Sequence, residues 1–494
     1  MQLYDKDLLS MQEVRELVER AKEAQKELAN MTQAQVDHIV RAVADAGVRN
    51  ARRLAEMAHE DTGFGKVDDK IIKNIFGSRG VYEYIKDMKT VGELERDEVK
   101  KVRTIAVPVG VIAGLIPSTN PTSTTLYKSE IAIKAGNAIV FSPHPTALRS
   151  ILETVKVIRQ AIAEAGGNED LVSCITNPTM EATDTLMKHR DVALILATGG
   201  SAMVRAAYSS GTPAIGVGPG NGPAYLEKTC DLPLAVKRIL DSETFDNGTI
   251  CASEQSIICD EDMVPAVKAE MEKQGAYFLD DEERQKLGKF ILRANGTMNP
   301  EIVGRSVATI AKLAGLDRVP DNARVLVARE DGVGRGHPYS NEKLGPILGF
   351  YTGTDYKDVC DKVCTILRYE GAGHTFSMHT KDDDMVDYFA KRVPASRIMV
   401  NTPSALGGIG ATTGLMPALT LGCGAVGGSA TSENVGPMQL LNTKKVAYGL
   451  KELDDIRGDL PDCSDGICRI PGSAVNEADV EEIVRKIMAR LKDL

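Results

Sequence analysis

The first sixty residues carry apolar positions at helical spacing. Val14, Leu17, Val18 and Ala21 form one apolar face, and Ile39, Val40, Val43 and Ala44 form another. We interpret residues 10–60 as helices that make up a structural layer. Near residues 102–107 the period changes towards two, which predicts a strand or a hairpin.

Short, nearly continuous apolar runs follow, separated by helix-compatible sequence. The runs lie at residues 110–117, 138–141, 171–175, 192–196 and 213–217. Strands that are apolar on both faces indicate a parallel sheet covered by helices on each side. The pattern therefore predicts an α/β fold with a doubly wound, Rossmann-type domain, whose ligands bind at the carboxyl ends of the strands.

The same alternation restarts later in the chain. After residues 221–223 we expect a helix, then a loop that carries Cys251, and then further strands at 325–328, 347–350 and 397–400. This predicts a second α/β domain from about residue 227 onwards. Residues 407–436 are dense in Gly, Ser and Thr and are expected to form loops.

The C-terminal end differs from the rest. Residues 454–473 are polar and contain Gly and Pro, which is typical of a linker. Beyond them, Val480, Ile483, Val484, Ile487, Met488 and Leu491 share one helix face, and Asn476 can cap the start of that helix. A tethered helix of this length needs a surface on which to dock. It docks either on its own protein or a second copy, or on another protein.

Composition narrows the classes of protein. The chain has 494 residues, of which 43% are hydrophobic and 26% charged, as in globular proteins that fold around a large core. A net charge of -10 argues against nucleic-acid binding. The nine cysteines lack a disulfide framework, and neither a secretory signal nor a membrane span is evident. We expect a soluble cytoplasmic protein.

Cys251 is the candidate nucleophile. It lies in a turn-like stretch after Asn247-Gly248 and directly before a β-branched run that begins at Ser256. A thiolate on a loop held by a rigid strand suits covalent catalysis. The alternative is that Cys251 is a small buried hydrophobe, as most free cysteines are.

Two further loops suit a nucleotide. The usual G-x-G-x-x-G fingerprint is missing, but Gly199-Gly200 follows an apolar strand and begins a helix, where backbone amides can approach a phosphate. His144 follows another strand. It can contact a ribose or phosphate, or it can hydrogen-bond a loop.

The motifs together resemble the aldehyde dehydrogenase superfamily, and within it the CoA-acylating acetaldehyde and propionaldehyde dehydrogenases. The matching segments, in family order, are PSTNPTS (117–123), FSPHP (141–145), AAYSSG (206–211), GVGPGN (216–221), FDNGTICASEQ (245–255), EKLGP (342–346) and GAGHT (371–375). The resemblance implies a Rossmann-type cofactor domain, an α/β catalytic domain and a small oligomerisation element.

The resemblance also implies roles. Cys251 would attack an aldehyde, and Asn120 with the backbone N–H of Cys251 would hold the oxyanion. Hydride would pass to NAD and leave a thioester on Cys251. The implied cofactor-binding residues are Ser118, Thr119, Ser142, His144, Pro145, Thr198, Gly199, Gly200, Met203, Gly218, Glu342 and Leu344. Leu344 stands where relatives often have Phe.

One departure from the wider family is informative. Hydrolytic members carry a Glu that activates water, whereas residues 217–221 of this chain hold no carboxylate. Water without a general base is a poor nucleophile, and a CoA thiolate is a good one. We therefore expect an NAD-dependent enzyme that oxidises a short-chain aldehyde to acyl-CoA. The alternatives are a hydrolytic aldehyde dehydrogenase that gives the carboxylic acid and a non-catalytic scaffold recruited to a shell.

The resemblance gives the domain limits. The cofactor-binding domain is expected at 1–94 and 111–226, the catalytic domain at 227–436, and the oligomerisation elements of a dimer or tetramer at 95–110 and 437–453. The helix at 474–494 resembles the peptides that dock enzymes onto bacterial microcompartment shells, which implies a shell-protein partner. No metal site is expected, because neither Cys360 and Cys364 nor Cys463 and Cys468 have convincing ligand spacing.

Overall fold

The computed structural model describes residues 5–293, 296–458 and 477–492. Cys463, Cys468, Asn476 and most of the predicted linker lie outside the described residues. Within the described part of the chain, no helix combines the length and the apolarity needed to cross a membrane. The chain divides into one unit of residues 1–92 and 106–442 and another of residues 93–105 and 443–494.

Helices and strands alternate along most of the chain. The helices are α1 (Lys6–Ala29), α2 (Gln33–Arg49), α3 (Ala51–Thr62), α4 (Val67–Ile75), α5 (Val81–Ile85), α6 (Pro121–Lys134), α7 (Leu148–Glu164), α8 (Met180–Met187), α9 (Ser201–Ser209), α10 (Leu232–Thr244), α11 (Val264–Lys273), α12 (Asp281–Ile291), α13 (Val307–Ala314), α14 (Tyr356–Tyr369), α15 (Asp383–Ala390), α16 (Ser404–Gly408), α17 (Leu453–Gly458) and α18 (Glu477–Lys492). The strands are β1 (Glu93–Asp97), β2 (Val102–Pro108), β3 (Val111–Ile116), β4 (Ala138–Pro143), β5 (Val172–Cys174), β6 (Val192–Thr198), β7 (Ala214–Val217), β8 (Gly222–Leu226), β9 (Glu254–Asp260), β10 (Ala276–Phe278), β11 (Val325–Arg329), β12 (Ile347–Gly353), β13 (Gly373–His379), β14 (Ala395–Val400) and β15 (Leu441–Ala447). The α/β prediction is confirmed.

The N-terminal helices form as their apolar spacing predicts. The side chains of Val14, Leu17, Val18 and Ala21 on α1 are buried, as are those of Ile39, Val40, Val43 and Ala44 on α2. Thr32 and Gln35 form a capping box at the start of α2, which satisfies N–H groups that the first helical turn leaves free. Both faces pack into the core around the first sheet.

The first sheet has five strands in the order β5-β4-β3-β6-β7, and every neighbouring pair is parallel. This is the doubly wound order, in which the chain reverses direction across the sheet at β3. The five predicted apolar runs coincide with these strands. The carboxyl ends of β3, β4, β6 and β7 therefore meet along one edge.

The second sheet has seven parallel strands in the order β10-β11-β12-β9-β8-β13-β14. Alternate residues of β8 and β9 pack on opposite faces. Leu226 and Cys259 join a core with α10 and α11, while Tyr225 and Ile258 join one with α14. Helices on both faces explain why β8, β9 and β13 are buried along their whole length.

Two expectations need correction. The segment after residue 221 does not restart with a helix, because Gly222–Leu226 form β8 in the interior of the second sheet. The stretch at 407–436 is mostly loop as expected, but it includes the end of α16 and a 3₁₀ turn at Ala425–Gly427. The domain limits themselves remain a prediction.

The smaller unit contains an antiparallel pair. Strands β1 and β2 pair with Asp97 opposite Val102, and β15 adds to the other edge of β2. The tail helix α18 presents exposed apolar side chains at Val480, Val484, Ile487 and Met488.

Candidate active site

Cys251 lies in a tight turn immediately before β9. The chain enters that turn through three successive residues with positive φ: 48° at Asp246, 53° at Asn247 and 72° at Gly248. For a residue with a side chain, this conformation costs about 1–2 kcal/mol. Asn247 is held there by a 2.9 Å bond from its Nδ2 to the carbonyl oxygen of Gly304, and Asp246 by a buried ion cluster. The Cys251 turn is therefore fixed from both sides.

One cavity of about 540 Å³ opens in front of the thiol. All fourteen residues that sequence analysis assigned to the site line it, namely Ser118, Thr119, Asn120, Ser142, His144, Pro145, Thr198, Gly199, Gly200, Met203, Gly218, Cys251, Glu342 and Leu344. They converge because the carboxyl ends of parallel strands share one edge, where β3, β4, β6 and β7 each end in a loop. The cavity is large enough for a mononucleotide-sized ligand group.

Asn120 reaches across to the Cys251 turn. It follows β3 and precedes Pro121, the first residue of α6. Its Nδ2 donates to the carbonyl oxygen of Thr249 over 3.1 Å and to Thr119 Oγ1 over 3.2 Å. Asn120 therefore bonds the backbone of Thr249, which precedes Cys251 by two residues, and all three residues line the cavity.

The Cys251 thiol is neutral near neutral pH. Burial raises its pKa to about 12, and the nearby Glu342 and Cys423 act in the same direction, while Arg397 opposes them. A raised thiol pKa means that the thiolate is the minor species throughout the physiological range.

Glu342 is buried beside Gly220. Its Oε1 accepts a 2.8 Å hydrogen bond from the N–H of Gly220, and its own backbone N–H donates to Glu370 Oε2 over 2.7 Å. Burial and the neighbouring Glu370 hold the pKa of Glu342 well above its usual value. The Glu342 carboxyl is therefore already engaged by the segment that lies opposite Cys251.

The segment opposite Cys251 has no room for a larger residue. A Cβ added at Gly220 would overlap the carbonyl oxygen of Cys251 and lie 2.8 Å from its carbonyl carbon. Among the described residues that line the cavity, Glu342 supplies the one carboxylate. Gly220 therefore allows residues 217–221 to lie in close contact with the Cys251 turn.

The far end of the cavity is polar but carries no formal cation. Ser142 Oγ lies 2.8 Å from Thr183 Oγ1, and His144 Nδ1 accepts from the N–H of Thr146 over 3.3 Å. Burial lowers the pKa of His144, so the ring is neutral at pH 7. Neither Lys nor Arg occurs among the described residues that line the cavity.

Sequence analysis missed two features of the site. His374 is buried and bonds Thr375 Oγ1 through Nδ1 over 2.9 Å, and its Nε2 has no partner among the described residues. The GAGHT motif contained it but suggested no role. Lys70 and Lys73 are also buried, although lysines on a predicted helix normally indicate a solvated face.

Comparison with known proteins agrees with this geometry. Residues 4–294 match the model of the aldehyde dehydrogenase family. The chain is 45% identical over 440 residues to the bifunctional aldehyde-alcohol dehydrogenase of Escherichia coli K12, covering 88% of this chain and 49% of that protein. The chain thus spans about half the length of the curated relatives it matches first. It is 36% identical to the acetylating succinate-semialdehyde dehydrogenase of Clostridium kluyveri, covering 89% of this chain and 96% of that protein.

Solved structures are similar as well. An acetylating aldehyde dehydrogenase from Geobacillus thermoglucosidasius has a TM-score of 0.90 and 49% identity, covering 91% of this chain and 99% of that one. A propionaldehyde dehydrogenase from Rhodopseudomonas palustris, solved with bound CoA and an acylated cysteine, has a TM-score of 0.80 and 28% identity, covering 88% and 97%. A propionaldehyde dehydrogenase from a fucose utilisation bacterial microcompartment of Clostridium phytofermentans has a TM-score of 0.79 and 27% identity, covering 88% and 97%. The chain belongs to the aldehyde dehydrogenase family.

Proposed function

We propose that the protein oxidises a short-chain aldehyde to acyl-CoA, with NAD as hydride acceptor and Cys251 as the carrier of the acyl group. The observation that carries this proposal is the convergence of Cys251 and Asn120 on one cavity whose Cys251-facing segment holds no carboxylate. Relatives named as acetylating or acylating enzymes support it.

The chain's own residues account for the first half of the reaction. Cys251 Sγ loses its proton to solvent and attacks the aldehyde carbon as a thiolate, and the electron pair of the C=O bond moves onto the carbonyl oxygen. The Nδ2–H of Asn120 and the backbone N–H of Cys251 donate to that oxygen, and each such donor contributes about 3 kcal/mol. When bound, the nicotinamide accepts the hydride, and the acyl group is left as a thioester on Cys251.

The second half of the reaction favours a thiol over water. Among the described residues that line the cavity, Glu342 is the one carboxylate, and it is already engaged by a hydrogen bond from the N–H of Gly220, which disfavours its use as a base towards water. His374 is also close to Gly220, since a Cβ on that glycine would approach its Cε1 to 3.3 Å. Its Nε2 has no partner among the described residues. Burial and Arg397 hold the pKa of His374 well below its usual value, which makes the ring a weak base, so the CoA thiol would lose its proton to solvent before it attacks the thioester.

NAD is proposed over NADP because the described residues that line the cavity include no Lys or Arg. A 2′-phosphate requires a cation such as Arg, and the described lining residues supply none. Ser142, Thr183 and His144 offer neutral hydrogen-bonding groups suited to ribose hydroxyls. Thr198, Gly199, Gly200 and Met203 would hold the diphosphate at the start of α9.

Steady-state assays with and without CoA test the activity. We expect NADH formation from acetaldehyde and propionaldehyde to require CoA, and Cys251→Ala to abolish it. Cys230→Ala is the matched control, because Cys230 is a half-buried free thiol that does not line the cavity. Sustained turnover without CoA would favour the hydrolytic alternative, and an active Cys251→Ala enzyme would overturn the assignment.

We also propose a homo-oligomer. Strand β15 lies at an edge of the three-stranded sheet formed by the described residues, and the nearby Val446 and Tyr448 are exposed. An unpaired edge of this kind suits pairing with a second copy. Light scattering should give the mass of a dimer or tetramer, and a monomer would contradict the proposal.

We also propose that the protein is cytoplasmic and that its C-terminal segment, residues 474–494, docks it onto a microcompartment shell. The exposed apolar side chains of α18 are available for docking on a shell protein, and the alternative is that they dock on the same protein or on a second copy of it. Deleting residues 474–494 should leave CoA-dependent activity intact and abolish co-sedimentation with shells. Loss of the oligomer in that variant would instead support the alternative.

A further inference from the structure

Helix α4 carries two lysines that are almost wholly withdrawn from solvent. Lys70 and Lys73 are three residues apart and therefore lie on the same helix face. Their side chains are 3% and 2% exposed, and both point at Asp246, whose side chain is fully buried. Buried lysines are rare unless a specific partner requires them, so this pair needs an explanation.

The Lys73 ammonium uses its donors on three acceptors. It pairs with Asp246 Oδ2, donates to Asn120 Oδ1, and donates to Thr249 Oγ1 over 3.1 Å. Thr249 Oγ1 in turn lies 2.8 Å from Asp246 Oδ2. Lys73 thus connects the candidate oxyanion residue to the turn that bears the nucleophile.

Lys70 has a different set of contacts. Its ammonium lies 3.0 Å from Asp246 Oδ2 and 3.4 Å from the carbonyl oxygen of Thr119, and it makes no bond to the Asn120 side chain. The two lysines therefore share burial, charge and carboxylate, and they differ in the contact with Asn120. This difference makes Lys70 a matched control.

The Lys73–Asn120 bond decides which way the amide faces. An ammonium has donors only, so it accepts Oδ1 as a neighbour and excludes the NH₂ group. With Oδ1 held by Lys73, both hydrogens of Nδ2 face Thr249 and Thr119 on the cavity side. A cation bonded to the amide oxygen also polarises the amide and strengthens its N–H donors.

We infer that Lys73 is a positioning residue that fixes and polarises the Asn120 amide for the oxygen of the bound aldehyde. The inference rests on the proposed function, because Asn120 needs such positioning only where an oxyanion forms. The hydrogen now bonded to Thr119 Oγ1 is the one available to the substrate oxygen without movement of the amide, since Thr119 and Asn120 both line the cavity.

The charged groups around Lys73 set a pH limit on this role. Burial lowers its pKa to about 8, Asp246 and Asp69 raise it, and Lys70 lowers it further. Because the pKa of Lys73 is lowered to about 8, the side chain is mostly protonated below pH 8 and loses its proton as the pH rises through that value. The assistance to Asn120 should therefore decline on the alkaline side.

A double-mutant cycle tests the inference. We expect Lys73→Met to lower kcat for CoA-dependent aldehyde oxidation about 10–100-fold, within the range set by loss of an oxyanion donor, while KM for NAD changes less than about threefold. Lys70→Met removes the same charge from Asp246 and should lower kcat less than about threefold. In an Asn120→Ala background, Lys73→Met should lower kcat by less than about a further threefold, because the group that Lys73 positions is gone.

Further variants keep the test decisive. Lys73→Arg retains its charge at high pH and should shift the alkaline limb of kcat upward, whereas Lys70→Arg should leave that limb in place. If Lys73→Met gives no soluble protein, Lys73→Gln and Lys70→Gln replace the methionine pair under the same criteria.

The outcomes distinguish failure of the positioning role of Lys73 from failure of the proposed function. Equal losses from the Lys70 and Lys73 variants, or full multiplication of the Lys73 effect with Asn120→Ala, would overturn the positioning role and leave the proposed function standing. A wild-type enzyme without CoA-dependent aldehyde oxidation would overturn the proposed function itself.

Discussion

Gly65 allows the ion cluster beneath the site to form, and replacing it should damage that cluster. The residue has a φ of +70°, and a Cβ there would overlap Asp246 Oδ1 and lie 2.8 Å from Oδ2. Asp246 has no room to yield, because Lys70 holds one carboxylate oxygen and the N–H of Lys66 holds the other over 2.7 Å. Gly65→Ala must therefore displace either the glycine loop or the carboxylate.

The expected loss of stability has two parts. An alanine in the left-handed conformation costs about 1–2 kcal/mol. Disrupting a buried ion pair, which leaves charge without a partner, costs about 3–5 kcal/mol. Gly166→Ala isolates the first part, because Gly166 has a φ of +79° and nothing lies within 4 Å of its added Cβ. Gly65→Ala should thus lose about 3–5 kcal/mol more than its control.

Urea unfolding followed by circular dichroism measures the difference, with both variants and the wild type at one protein concentration. The same samples should show a fall in kcat for Gly65→Ala alone, since the displaced Asp246 no longer holds Lys73 against Asn120. Equal unfolding free energies for Gly65→Ala and Gly166→Ala would refute the reasoning, because the overlap with Asp246 would then have no energetic consequence.

Three further predictions concern the cavity. Gly220→Ala should abolish acylation of Cys251, seen as absent acyl mass on the enzyme, because its Cβ overlaps the Cys251 carbonyl; Gly414→Ala, with open space around it, should acylate normally. Alkylation of Cys251 by iodoacetamide should accelerate about tenfold per pH unit from pH 7 to 10, because its pKa is raised to about 12; a plateau below pH 9 would contradict this. His144→Arg should raise the preference for NADP over NAD at least about tenfold in kcat/KM, by pairing with a 2′-phosphate; an unchanged ratio would show that residue 144 does not face the ribose.

The strands that could be predicted are those whose sequences are continuously apolar. β3, β4 and β6 are buried on both faces, so every position favours a hydrophobic residue. β8 escaped detection because its sequence, Gly222–Leu226, begins with Gly and Pro, which normally indicate a turn. The structure accommodates Pro223 at a register irregularity between β8 and β9, where a missing N–H is tolerated.

β13 escaped for the opposite reason. The segment Gly373–His379 contains two histidines, a threonine and a serine, and it does not form an apolar run. It is buried because β8 and β14 flank it in the second sheet. Local sequence carries little information about such a strand, since its burial depends on neighbours that are distant along the chain.

The candidate site divides along the same line. Glycine, proline and cysteine at particular loop positions have local conformational and chemical meaning, so motifs sufficed to name fourteen of the residues that line the cavity. The partnership of Lys70 with Asp246 joins residues 176 positions apart, and nothing in either neighbourhood indicates it. Ion pairs of this kind can be identified only from the fold, which brings α4 into contact with the Cys251 turn.

The supporting cluster explains how a strained turn and a neutral thiol can belong to one working site. Three left-handed residues before Cys251 are unfavourable by themselves, and Asp246 is held among them by two buried ammonium groups. One of them, Lys73, also bonds Asn120 Oδ1, so in the inferred positioning role the group that holds Asp246 would also orient the amide that donates to the oxyanion. For the proposed chemistry, oxyanion stabilisation would offset the small fraction of thiolate that burial of Cys251 imposes by raising its pKa to about 12.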